Sequence, residues 1–191
     1  MLSATTKLDA INTMLSTIGE APINTLEDIG SVDAVMAEQI LDSTSREVQG
    51  RGWHWNTEHE YKIQPDVNGS LWLPPTVLRA DDSKGRLGKD VVVRGQRLYD
   101  RRRHSYEFTD PMTIDLMVLL EFEELPQPAK HFIMIRSARI FQERVVGSGT
   151  LSGFTEMDEV WAKFQLEEME GDIAEYNILT DSYAVARVLD R

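Results

Sequence analysis

The chain contains no cysteine. Disulfides and thiolate-held metals are therefore excluded, and the absence suits a reducing compartment. Only four histidines occur. His54 and His59 fall in a segment of strand character, where alternation sends them to opposite faces. His59-Glu60 lacks the second histidine of a zinc-protease helix, and His104 and His131 stand alone. No metal and no cofactor is expected. There is no apolar run of roughly 18 residues, so no membrane-spanning helix is expected. Met1-Leu2-Ser3-Ala4-Thr5-Thr6 lacks the charged and apolar regions of a signal peptide. Positive charge is scarce too: 20 Lys and Arg face 32 Asp and Glu, a formal net charge of −12. That balance repels phosphate and argues against ordinary nucleic-acid binding.

What is present is an ordinary globular composition, 41% hydrophobic and 27% charged over 191 residues. That is enough for one domain, or one domain with a lobe, burying roughly 70% of its unfolded surface. The charge is uneven. Residues 79–103 hold nine Lys and Arg against four Asp and Glu, an asymmetry that either steers a partner or decorates a solvated hairpin.

Periodicity predicts helices near 4–18 (Leu8, Ile11, Leu15, Ile18), 32–49 (Val32, Met36, Ile40), 128–146 (Met134, Ala138, Phe141, Val145) and 155–177 (Met157, Trp161, Phe164). Gly19 and the Gly50/Gly52 pair are stops. Thr155 followed by Asp158 reads as a capping box. Residues 53–125 change character. Trp53, Trp55, Tyr61 and Ile63 alternate as strand formers, and Leu71 to Leu73, Val91 to Val93, Arg97 to Tyr99 and Thr113 to Phe122 complete one antiparallel sheet, with Arg94-Gly95-Gln96 closing a hairpin. The fold class is α+β: a four-helix bundle from residues 1–52 and 126–179, an inserted β-rich lobe over 53–125, and a tail over 180–191.

Motifs that carry chemistry are weak. Gly85 to Asp90 has a Gly-Lys pair with the wrong spacing for a phosphate loop, and Gly147 to Gly153 follows a helix where a dinucleotide fingerprint follows a strand. Asn68-Gly69-Ser70 fits a glycosylation acceptor without a secretory signal. Glu121, Glu123 and Glu124 are the candidate carboxylates for glycoside hydrolysis, against a reading as a solvated acidic edge. The tryptophans serve as core or interface anchors, or as a sugar platform. Arg101-Arg102-Arg103 is the sharpest basic cluster, set to pair with acidic neighbours or to touch DNA.

Two segments, Leu15 to Asp28 (LSTIGEAPINTLED) and Arg46 to Glu58 (REVQGRGWHWNTE), each halt a helix with glycine and then pin the chain with bulky apolar groups. Together with Tyr176 to Leu179 (YNIL), they resemble the tail tubular protein A family of short-tailed bacteriophages. The resemblance implies a virion protein: an adaptor ring of twelve copies that joins the portal to the tail nozzle, a protein like tail tubular protein B. Double-stranded DNA would pass through it without specific binding, and no membrane would be involved. It also implies synthesis in the host cytoplasm and residence in the virion tail, with the 180–191 tail docking to the portal. The interface candidates are Trp53, Trp55, Arg101, Arg102, Arg103, Tyr183, Val185, Val188 and Leu189. The alternatives are a tail-associated polysaccharide hydrolase on the same scaffold, or a free-standing bacterial regulator. The acidity and the missing DNA-reading motif weigh against the regulator.

Overall fold

A computed structural model describes residues 4–27, 31–83, 90–147 and 154–173. The chain divides into two compact units, Met1–Leu41 with Pro126–Arg191, and Asp42–Leu125.

The first unit is helical. Helix α1 (Lys7–Ser16) begins three residues later than periodicity suggests, because Thr6 is extended and acts as its N-cap. The Thr6 hydroxyl accepts the Asp9 N–H at 3.1 Å, and the Asp9 carboxylate accepts the Thr6 N–H at 3.0 Å, a reciprocal capping box. This helix buries Ala10, Ile11, Met14 and Leu15. Gly19, at φ +80°, lets the Glu20 N–H return to the Leu15 carbonyl and its own N–H reach Ser16. Those paired bonds form a Schellman motif, whose left-handed residue favours glycine.

Helix α2 (Val32–Gln49) buries Ala34, Ala37, Ile40 and Leu41, while Val32, expected on the inner stripe, is 78% exposed. Small alanines select the packing face here. Helix α3 (Gln127–Val145) packs against both α1 and α4 (Glu156–Ile173). It therefore buries Ala129, Phe132, Ile133, Ile135, Ala138 and Phe141, more of its circumference than one stripe, and leaves the expected Val145 exposed. The α4 start carries the expected capping box, with the Thr155 N–H donating to the Asp158 carboxylate at 2.7 Å and the Asp158 N–H returning to the Thr155 hydroxyl at 3.2 Å. Thr155→Ala is expected to destabilise the fold by about 1 kcal/mol, read as a lower thermal midpoint. The continuation of α4 to residue 177 lies outside the described residues, as does the 180–191 tail.

Among the described residues the second unit holds the end of α2 and five strands: β1 (Thr57–Ile63), β2 (Val77–Asp82), β3 (Val91–Arg94), β4 (Arg97–Asp100) and β5 (Met112–Val118). Every pairing is antiparallel, but the strands make two sheets where one was expected: β1-β5-β2, and the hairpin β3-β4. β5 is central, and its alternate residues Met112, Ile114 and Leu116 enter a core with Ile63, Leu71, Leu73, Ala80, Val91, Leu98 and Phe108. Gly95 has φ +64° at the first position of the two-residue turn, where a hairpin of this kind needs positive φ.

Three strand readings need correction. Trp53 and Trp55 flank and occupy a 3-10 turn over His54–Asn56, so β1 starts only at Thr57; the Trp53 N–H bonds to the Asn56 side chain at 2.8 Å, which curls the segment. Leu71 to Leu73 is a single bridge, Trp72 to Arg97, alongside β4. The strand expected to reach Phe122 ends at Val118, because Phe122–Glu124 form a second 3-10 turn.

Candidate assembly surfaces

The glycine-rich end of α2 is tied down by side-chain amides. Gln49 is fully buried; its Nε2 donates to the Leu120 carbonyl at 3.0 Å, and its Oε1 accepts the Leu120 N–H at 2.8 Å. The side chain thus stands in for one rung of a β-ladder just past β5. Asn56 Nδ2 donates to the carbonyls of Gln49 and Val118, both at 3.0 Å, and the Trp53 indole N–H donates to Val48 at 2.7 Å. In the other unit Asn12 does the same for the loop after α1, accepting the Ile23 N–H at 2.8 Å and donating to the Ile23 carbonyl at 3.0 Å. Apolar groups were expected to pin these two segments. Bidentate amides do so, with only the loop polarity as a sequence signal. Gly52 sits in this knot at φ +78°, where a Cβ would lie 2.4 Å from Met117 Cε. Trp53 is therefore an inner residue, 8% exposed and stacked on Trp55 with centroids 6.2 Å apart.

The basic surface lies on the β3-β4 hairpin. Arg94 stacks over Tyr99 at 3.7 Å, Tyr99 meets Tyr106 edge-on at 4.9 Å, and Arg97 lies 4.5 Å from Tyr106 and 5.2 Å from Trp72. The result is a continuous ladder, Trp72–Arg97–Tyr106–Tyr99–Arg94, of three rings and two cations. Trp72 is 54% exposed, and its indole N–H is fixed by Asp66 at 2.9 Å. Bonds from Ser70 and then from Trp72 hold the Asp66 carboxyl below its ordinary value. Sequence reading found the arginine run but missed this ladder, because Trp72, Arg97 and Tyr106 meet only through the bridge beside β4.

Arg101, Arg102 and Arg103 continue from this surface on one turn, and all three are exposed. The turn is built by Asp100, which is 3% exposed and accepts the backbone N–H groups of Arg102 at 2.8 Å and Arg103 at 3.0 Å. The Arg101 guanidinium is 3.6 Å from Asp90. Tyr183, Val185, Val188 and Leu189 lie outside the described residues.

The outer face of α4 is apolar. Met157, Val160, Trp161 and Phe164 follow at helical spacing and are between 52% and 60% exposed. Trp161 and Phe164 meet edge-on at 6.1 Å. The other face buries Ala162 and Leu166, and Glu159 joins it to α3 by bonds to Arg136 at 2.5 Å and Arg139 at 2.6 Å.

Two arrangements resemble catalytic groups. An open depression of about 400 Å3 is lined by Tyr61, Val77, Leu116 and Val118 and rimmed by Glu58, Glu121 and Glu124. General-acid carboxyls sit in desolvated settings; Glu121, Glu123 and Glu124 are exposed, and Glu124 accepts the Glu121 N–H at 3.3 Å. The second is a Ser–Asp–His set at the β1 bulge. Ser83 Oγ donates to Asp115 at 2.6 Å, and the N–H of Glu60, whose φ is +56°, donates to the same oxygen at 2.9 Å. His59 Nδ1 is 3.4 Å from the other oxygen. In a nucleophilic triad the imidazole stands between serine and carboxylate. Here the carboxylate is in the middle, so the set clamps a bulge and does not activate the serine. Among the described residues no group of three potential ligands is placed to hold a metal, and no described helix is long and apolar enough to cross a membrane.

Partial burial raises the Asp115 pKa, but the bonds from Ser83, Glu60 and His59 outweigh it and leave it below 3.8. A carboxylate depressed in the folded state contributes stability that is complete above the unfolded pKa and lost as pH falls through the folded one. Melting temperature is therefore expected to drop on acidification below about pH 4, and to drop less steeply in Asp115→Asn.

A family model described as tail tubular protein matches residues 8–176. Tail tubular protein A of Klebsiella phage KP34 is 24% identical over 165 residues, covering 85% of this chain and 86% of that protein.

Proposed function

We propose, on the premise that this chain belongs to the tail tubular protein family, that it is the adaptor ring of a bacteriophage tail. Membership makes it a structural component of the virion tail. The finer reading adds a ring of twelve self-copies, the portal on one side, a nozzle protein like tail tubular protein B on the other, and a lumen through which DNA leaves. Work of this kind needs shape, registry and sticky surfaces and no bond-making. The observation that carries it is the half-buried arginine–aromatic surface of β3-β4 with the exposed Arg101 to Arg103 turn, a composition typical of protein interfaces and their hot spots. A net charge of −12 fits a conduit that repels DNA and lets it slide.

The hydrolase alternative rests on the depression near Glu121 and Glu124; release of reducing ends from cell-wall polymer, lost in Glu124→Gln, is the result it requires. The adaptor reading is tested by electron microscopy of the protein mixed with portal, where density for this chain at the portal–nozzle junction is expected and its absence refutes the reading. Deleting residues 180–191 is expected to spare folding and weaken co-sedimentation with portal. Arg101, Arg102 and Arg103 changed together to Ala are expected to weaken assembly by at least ten-fold at low salt and by less at high salt, since screening removes the contribution of exposed charge. Equal assembly of mutant and parent at both salts would refute their interface role.

A further inference from the structure

We infer that the outer face of α4 is a docking surface for a second copy of this chain, and that it seats on the Trp72–Arg97–Tyr106–Tyr99–Arg94 ladder and the Arg101 to Arg103 turn of that copy. The inference rests on the ring reading and assigns its contact.

The α4 stripe of Met157, Val160, Trp161 and Phe164 is four large apolar side chains in a row, each more than half exposed. Scattered surface apolar groups are normal; a contiguous stripe marks an interaction site. The charge around the stripe selects the partner. From Glu156 to Asp172 the helix carries Glu156, Asp158, Glu159, Glu167, Glu168, Glu170 and Asp172 against Lys163 alone. Glu159 is taken by Arg136 and Arg139, and Lys163 by Glu167 at 3.2 Å. Two α4 faces set together would oppose like charges, so a symmetric helix-to-helix pairing is disfavoured. The stripe calls instead for a basic surface rich in rings.

In a chain this acidic such a surface is rare, and the ladder provides one: Arg94, Arg97, Arg101, Arg102 and Arg103 beside Trp72, Tyr99 and Tyr106. Three carboxylates adjoin it: Asp66 is bonded to the Trp72 indole at 2.9 Å, Asp90 lies 3.6 Å from Arg101, and buried Asp100 accepts the N–H groups of the turn with the Arg103 guanidinium 3.9 Å away, so the five arginines still outnumber them. The Arg102 guanidinium makes no ion pair among the described residues. Acidic and apolar on one side, basic and aromatic on the other, the two surfaces differ. Used head to tail, they make the heterologous type of contact that closes into a ring when the rotation per copy allows.

The test uses phage particles carrying full-length variants, with copies per purified particle counted by quantitative mass spectrometry and folding checked by circular dichroism. The first variant changes Arg101, Arg102 and Arg103 to Glu; the second changes Glu156, Glu167 and Glu168 to Lys; the third combines both sets. Each separate variant is expected to lose at least ten-fold in incorporation while remaining folded, and the combined variant to regain most of it, because the complementarity is restored with its signs exchanged. Phe164→Ser is expected to lose incorporation in every background. Separate variants that incorporate like the parent overturn the inference, and so does a combined variant that stays as poor as its components. If the parent chain is itself absent from particles, the tail reading falls, which is a different result.

Discussion

Gln49→Leu is expected to cost about 2–4 kcal/mol, the sum of two backbone groups left without partners, and to lower the melting temperature by roughly 5–15 °C for a chain of this size. Leucine matches glutamine in volume, so the loss is not a cavity effect. The Leu120 N–H and carbonyl, which now close two bonds with the Gln49 amide, would remain partly buried and unsatisfied, and the bond from Gln49 Nε2 to Ser45 at 3.0 Å would go as well. Gln49→Glu separates geometry from polarity. It keeps the acceptor for the Leu120 N–H but replaces the donor, setting a carboxylate oxygen against a carbonyl. A melting temperature unchanged in both variants would show that the knot is not a source of stability.

The second large effect is expected at Glu159. Its side chain is 16% exposed and shared by Arg136 and Arg139. Glu159→Ala removes the anion that the partly buried Arg136 and Arg139 share, and leaves Arg139 the longer contact to exposed Glu143 at 3.5 Å. Removing one partner of a fully buried pair costs about 3–5 kcal/mol; partial exposure reduces the expected loss here to about 2–3 kcal/mol. The triple change of Glu159, Arg136 and Arg139 to Met is expected to be much milder than Glu159→Ala, because the three partly buried charges go together and the Glu143 left behind is exposed. Chemical denaturation reads both. A triple variant that is worse than the single one would mean that the ion pair, and not the avoidance of an unpaired charge, holds α4 on α3.

Local signals were legible where they are complete within a few residues. The Thr155/Asp158 box, the Gly19 stop and the Gly95 turn are such cases, because a cap or a left-handed turn is settled by two or three neighbours. The four helices could be placed for the same reason, apart from ends displaced by caps. Features set by distant contacts were not legible. Trp53 and Trp55 have the composition of a strand, yet the Asn56 side chain curls them into a 3-10 turn whose other bonds reach Gln49 and Val118. Val32 looked like core and is exposed. Met157, Trp161 and Phe164 were correctly put on one face of α4, but periodicity alone cannot tell an inner face from an outer one. The Arg101 to Arg103 cluster was visible as charge, whereas the rings stacked on Arg94 and Arg97 needed the fold.

The turn at Asp100 divides labour in a way that bears on how such a protein diversifies. Its shape is held by one inward carboxylate and main-chain N–H groups; the side chains at 101 and 103 add only long, exposed ion pairs to Asp90 and Asp100, which contribute little. Substitutions there are expected to be tolerated by the scaffold while altering which neighbour is accepted. A lineage meeting a changed tail component has in this loop a place to adapt by single steps without first acquiring a stabilising mutation elsewhere.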